Sequence, residues 1–478
     1  MSLGRKTKIV ATVGPSCDTK ETLKALIREG VDVFRINASH TTEQGLAKWI
    51  QLIRSASKRS TILVDLQGPR VRTGMLTGGK PVFLQTGETI YICPGLKEGA
   101  GNRISTLCLQ FPDMVKKGDR VLIDNGLIEI QVLEMGRGSI KCKVVKGGEL
   151  GQNKGINIPN APITLPALTA KDKKDLAVAL AHNVDYIALS FVRSEKDVMT
   201  LKNWMAARGK NIPVIAKIEK PMALQRIDQI TKVSAGIMVA RGDLGIEKGV
   251  EKVPVIQKKL IELSNDMCLP VITATQMLES MIHHFYPTRA EASDVANAVF
   301  DGTDAVMLSG ETAVGEYILE CVRMMSKIIV EAESDLLHPK PNEPLMEHYE
   351  HEDTIIHALT HAACHAANIL KAKAILVLTR SGKTALMVSK FRPSAPIIAF
   401  PDTEEVMRRL AIYRGVNSVC LKHVKDADQM LQNVDKALLE GKFLKKGDPV
   451  IVVSGRHAFP GFRYIMKLHH IGERPDRF

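Results

Sequence analysis

Eight short apolar runs, spread over roughly the first 335 residues and separated by amphipathic helical stretches, place the tightest limit on how this chain can fold. They are Lys8 to Val13, Val31 to Ile36, Thr61 to Asp65, Val184 to Phe191, Pro213 to Ile218, Gly236 to Ala240, Leu269 to Ala274 and Asp304 to Leu308. Strands too apolar to face water, each followed by a crossover helix, predict a closed parallel (β/α)8 barrel of the TIM type. The first crossover carries the local signals: Asp18 and Glu21 predict a capping box, Leu23, Leu26 and Ile27 share a face, and Gly30 ends the helix.

Between the third and fourth runs the hydrophobic period changes from helical to two. The intervening stretch, residues 69–154, is far longer than the about 2–6 residues of an ordinary βα loop. Val121 to Val132 predicts a hairpin with an Asn125-Gly126 turn, and Ile140 to Val144 alternates strictly. This is an inserted all-β domain, and Gly68-Pro69, Gly151 and Gly155 at its joints suit a hinged lid over the barrel rim. Proline and histidine punctuate residues 338–351; beyond them Ala374 to Leu378, Pro396 to Ala399 and Pro449 to Val453 alternate with helices, as in an open parallel sheet. The expected organisation is α/β: residues 1–68 form the first barrel segment, 69–154 the β lid, 155–337 the second barrel segment and 338–478 a C-terminal open α/β regulatory domain.

Two adjacent runs end in complementary chemistry. Ile215-Ala-Lys-Ile-Glu219 and Met238-Val-Ala-Arg-Gly-Asp-Leu-Gly245 bring Lys217, Glu219, Arg241, Gly242 and Asp243 to one rim, at the strand ends where such barrels place their active sites. One or two carboxylates are the usual protein share of a Mg2+ site, and Lys and Arg neutralise phosphoryl charge, so the rim predicts a metal and phosphate site. Strand caps at a solvated edge are the plainer reading of any one of these charges; two adjacent, complementary ends favour the functional one.

The net charge of +13 raises the question of nucleic acid, but aromatics are only 4% and the Lys and Arg residues are dispersed, so no nucleic-acid partner is expected. No apolar stretch approaches a membrane span, and Met1 to Lys6 lacks the apolar segment of a signal peptide. The eight cysteines show no CxxC spacing and fall mostly in apolar runs, which predicts buried thiols in the cytoplasm.

Several separate blocks, in order along the chain, carry a resemblance: Thr7 to Pro15, Arg35-Ile-Asn-Ala-Ser-His40, Asp65-Leu-Gln-Gly-Pro-Arg-Val-Arg72, Asn153 to Asn157, Leu165 to Thr169, Ala274 to Met281, and Pro287 through Thr312. With these blocks the chain resembles the pyruvate kinases over essentially its whole length, in particular their potassium-independent bacterial and archaeal type. The resemblance implies phosphoryl transfer from phosphoenolpyruvate to ADP, giving pyruvate and ATP. It implies that Glu219 and Asp243 hold Mg2+, with Mn2+ able to substitute, that Arg35 grips the phosphate, and that Lys217 neutralises the phosphoryl group in flight. Backbone N–H groups around Gly242 and Asp243 would take the substrate carboxylate, and Thr275 would help relay a proton to the enolate. Asn37, His40, Arg72 and Lys154 are implied at the nucleotide, and a homotetramer is the implied assembly. The chain is expected to lack the C-terminal phosphohistidine-type domain that some bacterial relatives append. A metal-dependent keto-acid lyase or aldolase, and a non-catalytic effector-binding protein, are the alternatives; neither uses the lid, the phosphate cations and the metal carboxylates together.

Potassium-dependent relatives hold the ion with residues matching Asn37, Ser39 and Asp65 and with a threonine where this chain has Leu66. Those relatives carry glutamate at the position of Arg70, where potassium-independent ones generally carry lysine, so the expectation is that potassium is not required. Ala38 and Thr41 also depart from the usual aromatic and glycine. Finally, Thr379-Arg-Ser-Gly-Lys-Thr384 between an apolar strand and a helix predicts a phosphate cradle, built from Thr379, Ser381, Gly382, Lys383 and Thr384. It is not a Walker loop, because position 377 is valine. The resemblance implies a phosphorylated-metabolite effector there.

Overall fold

In the computed structural model, which describes residues 4–159, 165–335, 351–424, 426–455 and 464–473, the apolar runs become the strands Lys8–Thr12, Val33–Asn37, Thr61–Asp65, Tyr186–Leu189, Val214–Ile218, Gly236–Ala240, Val271–Ala274 and Ala305–Leu308. They close into one parallel barrel in chain order, the first strand pairing with both the second and the last. Alternation sends Val10, Leu63, Ile215, Met238 and Ile272 into the barrel interior, while Ile9, Phe34, Ile62, Val64 and Val239 face the helical layer. Both faces are buried, which is why these strands read as continuous apolar runs rather than as alternation.

The first crossover helix is Lys20–Glu29, closed by Gly30 at φ 112° as expected, but its cap differs. Thr19, not Asp18, is the N-cap: its hydroxyl accepts the N–H of Thr22 at 3.1 Å, and Asp18 instead ends the preceding turn Pro15–Cys17. A threonine one residue later satisfies the same orphan donors without a capping box.

The insertion contains a seven-stranded sheet around its own core of Ile90, Ile104, Phe111, Ile130 and Val144. Arg120–Ile123 and Ile128–Gly136 form the expected hairpin, with Ile123 opposite Ile128. The turn is wider than Asn125-Gly126 alone: Asp124, Asn125 and Gly126 all have positive φ. Gly155–Asn157 pairs with both Val71–Arg72 and Arg120–Ile123, so the insertion's sheet runs past the expected joint at 154. At the first joint Gly68 has φ +69°, and a Cβ there would lie 3.0 Å from the Ser190 carbonyl oxygen, so this position requires glycine.

The C-terminal sheet runs Val416–Ser418, Ile397–Phe400, Ala374–Leu378, Pro449–Ser454, Ile465–His470. The three expected strands are parallel, joined by a fourth parallel strand, Val416–Ser418, beyond those expected from the sequence; Ile465–His470 is antiparallel to Pro449–Ser454 and largely exposed, and its sequence lacks an apolar run. The boundary region 338–350 lies outside the described residues. This domain docks at the N-terminal ends of the barrel strands, through Tyr186 Oη to the Arg409 carbonyl (2.7 Å), Arg408 to Asp185 (2.8 Å) and the buried Lys390–Asp304 pair (2.5 Å). All eight cysteines are free thiols, and no described helix is long and apolar enough to cross a membrane.

Candidate active site at the C-terminal rim of the barrel

Strand ends two to five converge on Asp65. Its Oδ2 takes Arg35 Nε at 2.8 Å and Nη2 at 2.6 Å, while its Oδ1 faces Lys217 Nζ and Ser190 Oγ, each at 3.3 Å. Thr12 Oγ1 accepts a further bond from Arg35 Nη1 at 3.0 Å. Lys217 Nζ also donates to Ser190 Oγ at 2.8 Å and lies 2.8 Å from Glu219 Oε1. Register explains the grouping: Asn37 pairs with Asp65, Asp65 with Ala188 and Ala188 with Ile215, so the functional side chains emerge at one height. Ser190 is a hub that strand-end chemistry hints at but whose three partners only the fold reveals.

Burial sets the electrostatics. It acts to raise the Asp65 pKa, but the Lys217 and Arg35 charges outweigh it and hold the carboxyl below its usual range. Burial acts to lower the Lys217 pKa, yet Asp65 and then Glu219 overcome it, so the ammonium stays charged. Glu219 goes the other way: burial first, reinforced by the charge of Asp243, raises its pKa despite Lys217.

Glu219 and Asp243 suit a divalent cation. Glu219 Oε2 accepts the Phe191 N–H at 2.7 Å, whereas its buried Oε1 faces Lys217 Nζ at 2.8 Å. Asp243 is half-buried in the first turn of the helix Arg241–Lys248, where the helix dipole favours an anion. No group of three or more His, Cys, Asp or Glu side chains with metal-binding geometry occurs among the described residues. Two carboxylates with the remaining positions left to substrate oxygens and water is the Mg2+ pattern.

Arg241 does not join the rim charges as expected. Its guanidinium turns inward, pairs with Asp294 at 2.7 Å, and donates to the carbonyls of Thr275 (2.6 Å) and Gln276 (3.1 Å). Thr275 and Gln276 both have positive φ, 69° and 54°, strained for residues with a Cβ, and Arg241 holds them there. The Thr275 hydroxyl accepts the Gly242 N–H at 2.9 Å and donates to the Ala274 carbonyl at 2.7 Å. Thus Gly242 and Thr275 are brought into contact across strands six and seven.

A second group lies where the insertion meets the rim. Arg72 pairs in register with Gly155, next to Lys154, and donates to the Asn153 carbonyl at 3.0 Å; Lys154 Nζ lies 2.8 Å from Asp124 Oδ2. His40 sits in their field: partial burial, then Arg72, Arg35 and Arg70, push its imidazole below the usual pKa. Asn37 Oδ1 accepts the Ser39 N–H at 3.1 Å, shaping the turn that presents His40. Lys171, unmarked in the sequence, braces that turn by donating to the Ala38 carbonyl at 2.6 Å. Leu66 is only 1% exposed and its side chain packs in the helical-layer core, so only its carbonyl faces the rim, where it accepts from Ser190. Arg70 lies against Gly155, with Nη2 3.5 Å from Asn125 Oδ1, on the insertion side of the first joint.

In the C-terminal domain, Thr379 Oγ1 accepts the Gly382 N–H at 3.0 Å and Ser381 Oγ accepts the Lys383 N–H at 3.4 Å. Gly382, at φ 90°, caps the helix Lys383–Lys390. Ser381 and Lys383 are exposed, whereas Thr379 and Thr384 are buried at 3% and 6%, so the loop presents fewer hydroxyls than its sequence suggests.

Models of two domains match the chain: the pyruvate kinase barrel domain over residues 4–322 and the pyruvate kinase alpha/beta domain over residues 357–469. A pyruvate kinase of Mycobacterium tuberculosis is 40% identical over 474 residues, covering 98% of this chain and 99% of that one. One from Thermotoga maritima is 41% identical over 457 residues, covering 94% and 96%. A crystal structure of a pyruvate kinase from Cryptosporidium parvum superposes with a TM-score of 0.91 at 39% identity, covering 98% of this chain and 96% of that one.

Proposed function

The chain belongs to the pyruvate kinase family, and from that premise we propose how its own residues divide the work. The reaction is divalent-metal-dependent transfer of the phosphoryl group of phosphoenolpyruvate to ADP, giving pyruvate and ATP. The lyase and non-catalytic readings have no support from relatives that match along the whole length.

Glu219 and Asp243 hold the metal, which we take to be Mg2+ with Mn2+ as a substitute; the observation that carries this assignment is the closeness of the two carboxylates, near enough that the charge of Asp243 helps raise the Glu219 pKa. The bound ion supplies charge neutralisation for the substrate's carboxylate and phosphate oxygens. Arg35 binds the phosphate with donors not spent on Asp65 and Thr12. Lys217, kept charged by Asp65, faces the phosphoryl group as it moves between oxygens, a loose transition state that needs fixed positive charge more than covalent help. The helix start at Gly242 and Asp243 orients the substrate carboxylate. Thr275, whose hydroxyl is held by Gly242 and Ala274, passes a proton towards the enolate carbon. Asn37, His40, Arg72 and Lys154 contact the nucleotide under the closed insertion.

Potassium is not required on this reading. Both Asp65 oxygens already face cations, and the Leu66 side chain is committed to the core. Arg70, at the hinge, adds positive charge on the insertion side. The loop Thr379 to Thr384, exposed at Ser381 and Lys383, receives a phosphorylated metabolite, and the enzyme works in the cytoplasm as a homotetramer. The exposed pair Phe285 and Tyr286, 48% and 69% accessible, supports a contact face. A coupled assay of ADP-dependent pyruvate formation with Mg2+, in sodium- and potassium-free buffer, tests the reading: turnover is expected at full rate. A requirement for potassium contradicts the cation assignment, and absence of pyruvate contradicts the whole.

A further inference from the structure

Behind the metal carboxylates lies a second, wholly buried polar cluster. Lys220, next to Glu219, forms an ion pair with Glu247. Glu247 stands one helical turn after Asp243 on the helix Arg241–Lys248. Asn157, from the insertion, donates its amide to the same Glu247 oxygen at 3.2 Å. Lys220, Glu247 and Asn157 are only 7%, 6% and 4% exposed, and Glu247 Oε2 makes no hydrogen bond. The Lys220 ammonium also sits 5.7 Å from the centre of the Phe191 ring, and Phe191 donates its N–H to Glu219.

We propose that Lys220 and Glu247 are positioning residues, a buried ion pair that fixes the separation of Glu219 and Asp243 and thereby sets the affinity of the divalent-metal site. The inference rests on the assignment of Glu219 and Asp243 as metal ligands. The two carboxylates come from different strand ends, and the strand pairing between them ends at Ile218 and Val239, before either is reached. Beyond that point the Lys220–Glu247 pair, joined from the insertion by Asn157, ties the loop after strand five to the helix after strand six. A buried ion pair contributes little net stability against an apolar replacement of similar volume. Groups behind metal ligands, by contrast, typically govern metal affinity by about 10–100-fold through orientation.

That asymmetry separates positioning from mere structure. The test is Mn2+ binding to the purified full-length protein, followed by electron paramagnetic resonance of the free ion, beside the thermal midpoint and steady-state kinetics. Lys220→Met combined with Glu247→Leu strands no buried charge and is expected to keep a near-native midpoint while Mn2+ affinity falls about tenfold or more. Its kcat is expected to fall while KM for ADP stays near native. Glu247→Gln, whose amide oxygen still accepts from Lys220 and Asn157, provides a second folded variant and is expected to show an intermediate loss of Mn2+ affinity. Native Mn2+ affinity in either folded variant overturns the proposal. Asp243→Ala is the control on its premise: if that variant keeps native Mn2+ binding, the ligand assignment itself is wrong.

Discussion

Arg35 meets Asp65 with two nitrogens on one oxygen, Nε at 2.8 Å and Nη2 at 2.6 Å from Oδ2. The other oxygen of Asp65 faces Lys217, so one carboxylate balances both cations.

Asp65→Asn should therefore do more than remove a surface charge. It removes the carboxylate partner of the buried Arg35 and leaves Lys217 facing Glu219, and breaking such a group costs about 3–5 kcal/mol. Thermal unfolding is expected to show that loss at neutral pH, with turnover strongly reduced. The sign with pH follows from the depressed pKa of Asp65: its contribution is present above the ordinary value of 3.8 and is lost as pH falls through the lower folded-state value. The gap between wild type and variant should stay constant from pH 8 to 5; a gap that closes in that window contradicts the assignment.

Arg241→Lys tests the clamp on Thr275 and Gln276. Lysine keeps the charge opposite Asp294 but loses the fork that reaches two carbonyls. Released from it, the left-handed pair relaxes and the Thr275 hydroxyl shifts from Gly242. The expected result is kcat about tenfold lower or worse, with Mn2+ binding intact. Native kcat in the lysine variant would show that the strained backbone is held by other contacts.

Much of this site was legible in the sequence because its chemistry sits at the ends of apolar runs. Lys217, Glu219 and Asp243 are conspicuous for that reason, and the barrel follows from the same runs. Direction was not legible. Arg241 adjoins the same strand end yet points inward, since orientation depends on the loop after strand seven. Lys220 and Glu247 look like ordinary solvated charges; their pairing spans 27 positions and exists only once two strands lie side by side. Thr19 won the helix cap from Asp18, and Ile465–His470 joined the sheet without an apolar run, because a hydroxyl and an exposed edge each suffice locally.

The loop Thr379 to Thr384 yields a regulatory prediction. Ser381→Ala with Thr384→Ala is expected to abolish activation by a phosphorylated metabolite while leaving basal turnover intact, since the loop lies in the domain docked at the opposite end of the barrel. The shift of the phosphoenolpyruvate saturation curve is the readout, across a panel of sugar phosphates and AMP. An unmoved curve with every compound in wild type, or activation that survives in the double variant, contradicts the assignment.

The most direct test of the account is single-turnover and steady-state pyruvate formation by Lys217→Met, with its fold verified by circular dichroism. Lys217 is the ammonium that Asp65, Ser190 and Glu219 hold at the rim, and loss of one preorganised charge facing the transition state costs about 3 kcal/mol or more. The account expects kcat at least about a hundredfold lower in a folded protein that still binds Mn2+. Near-native kcat in that protein would contradict it.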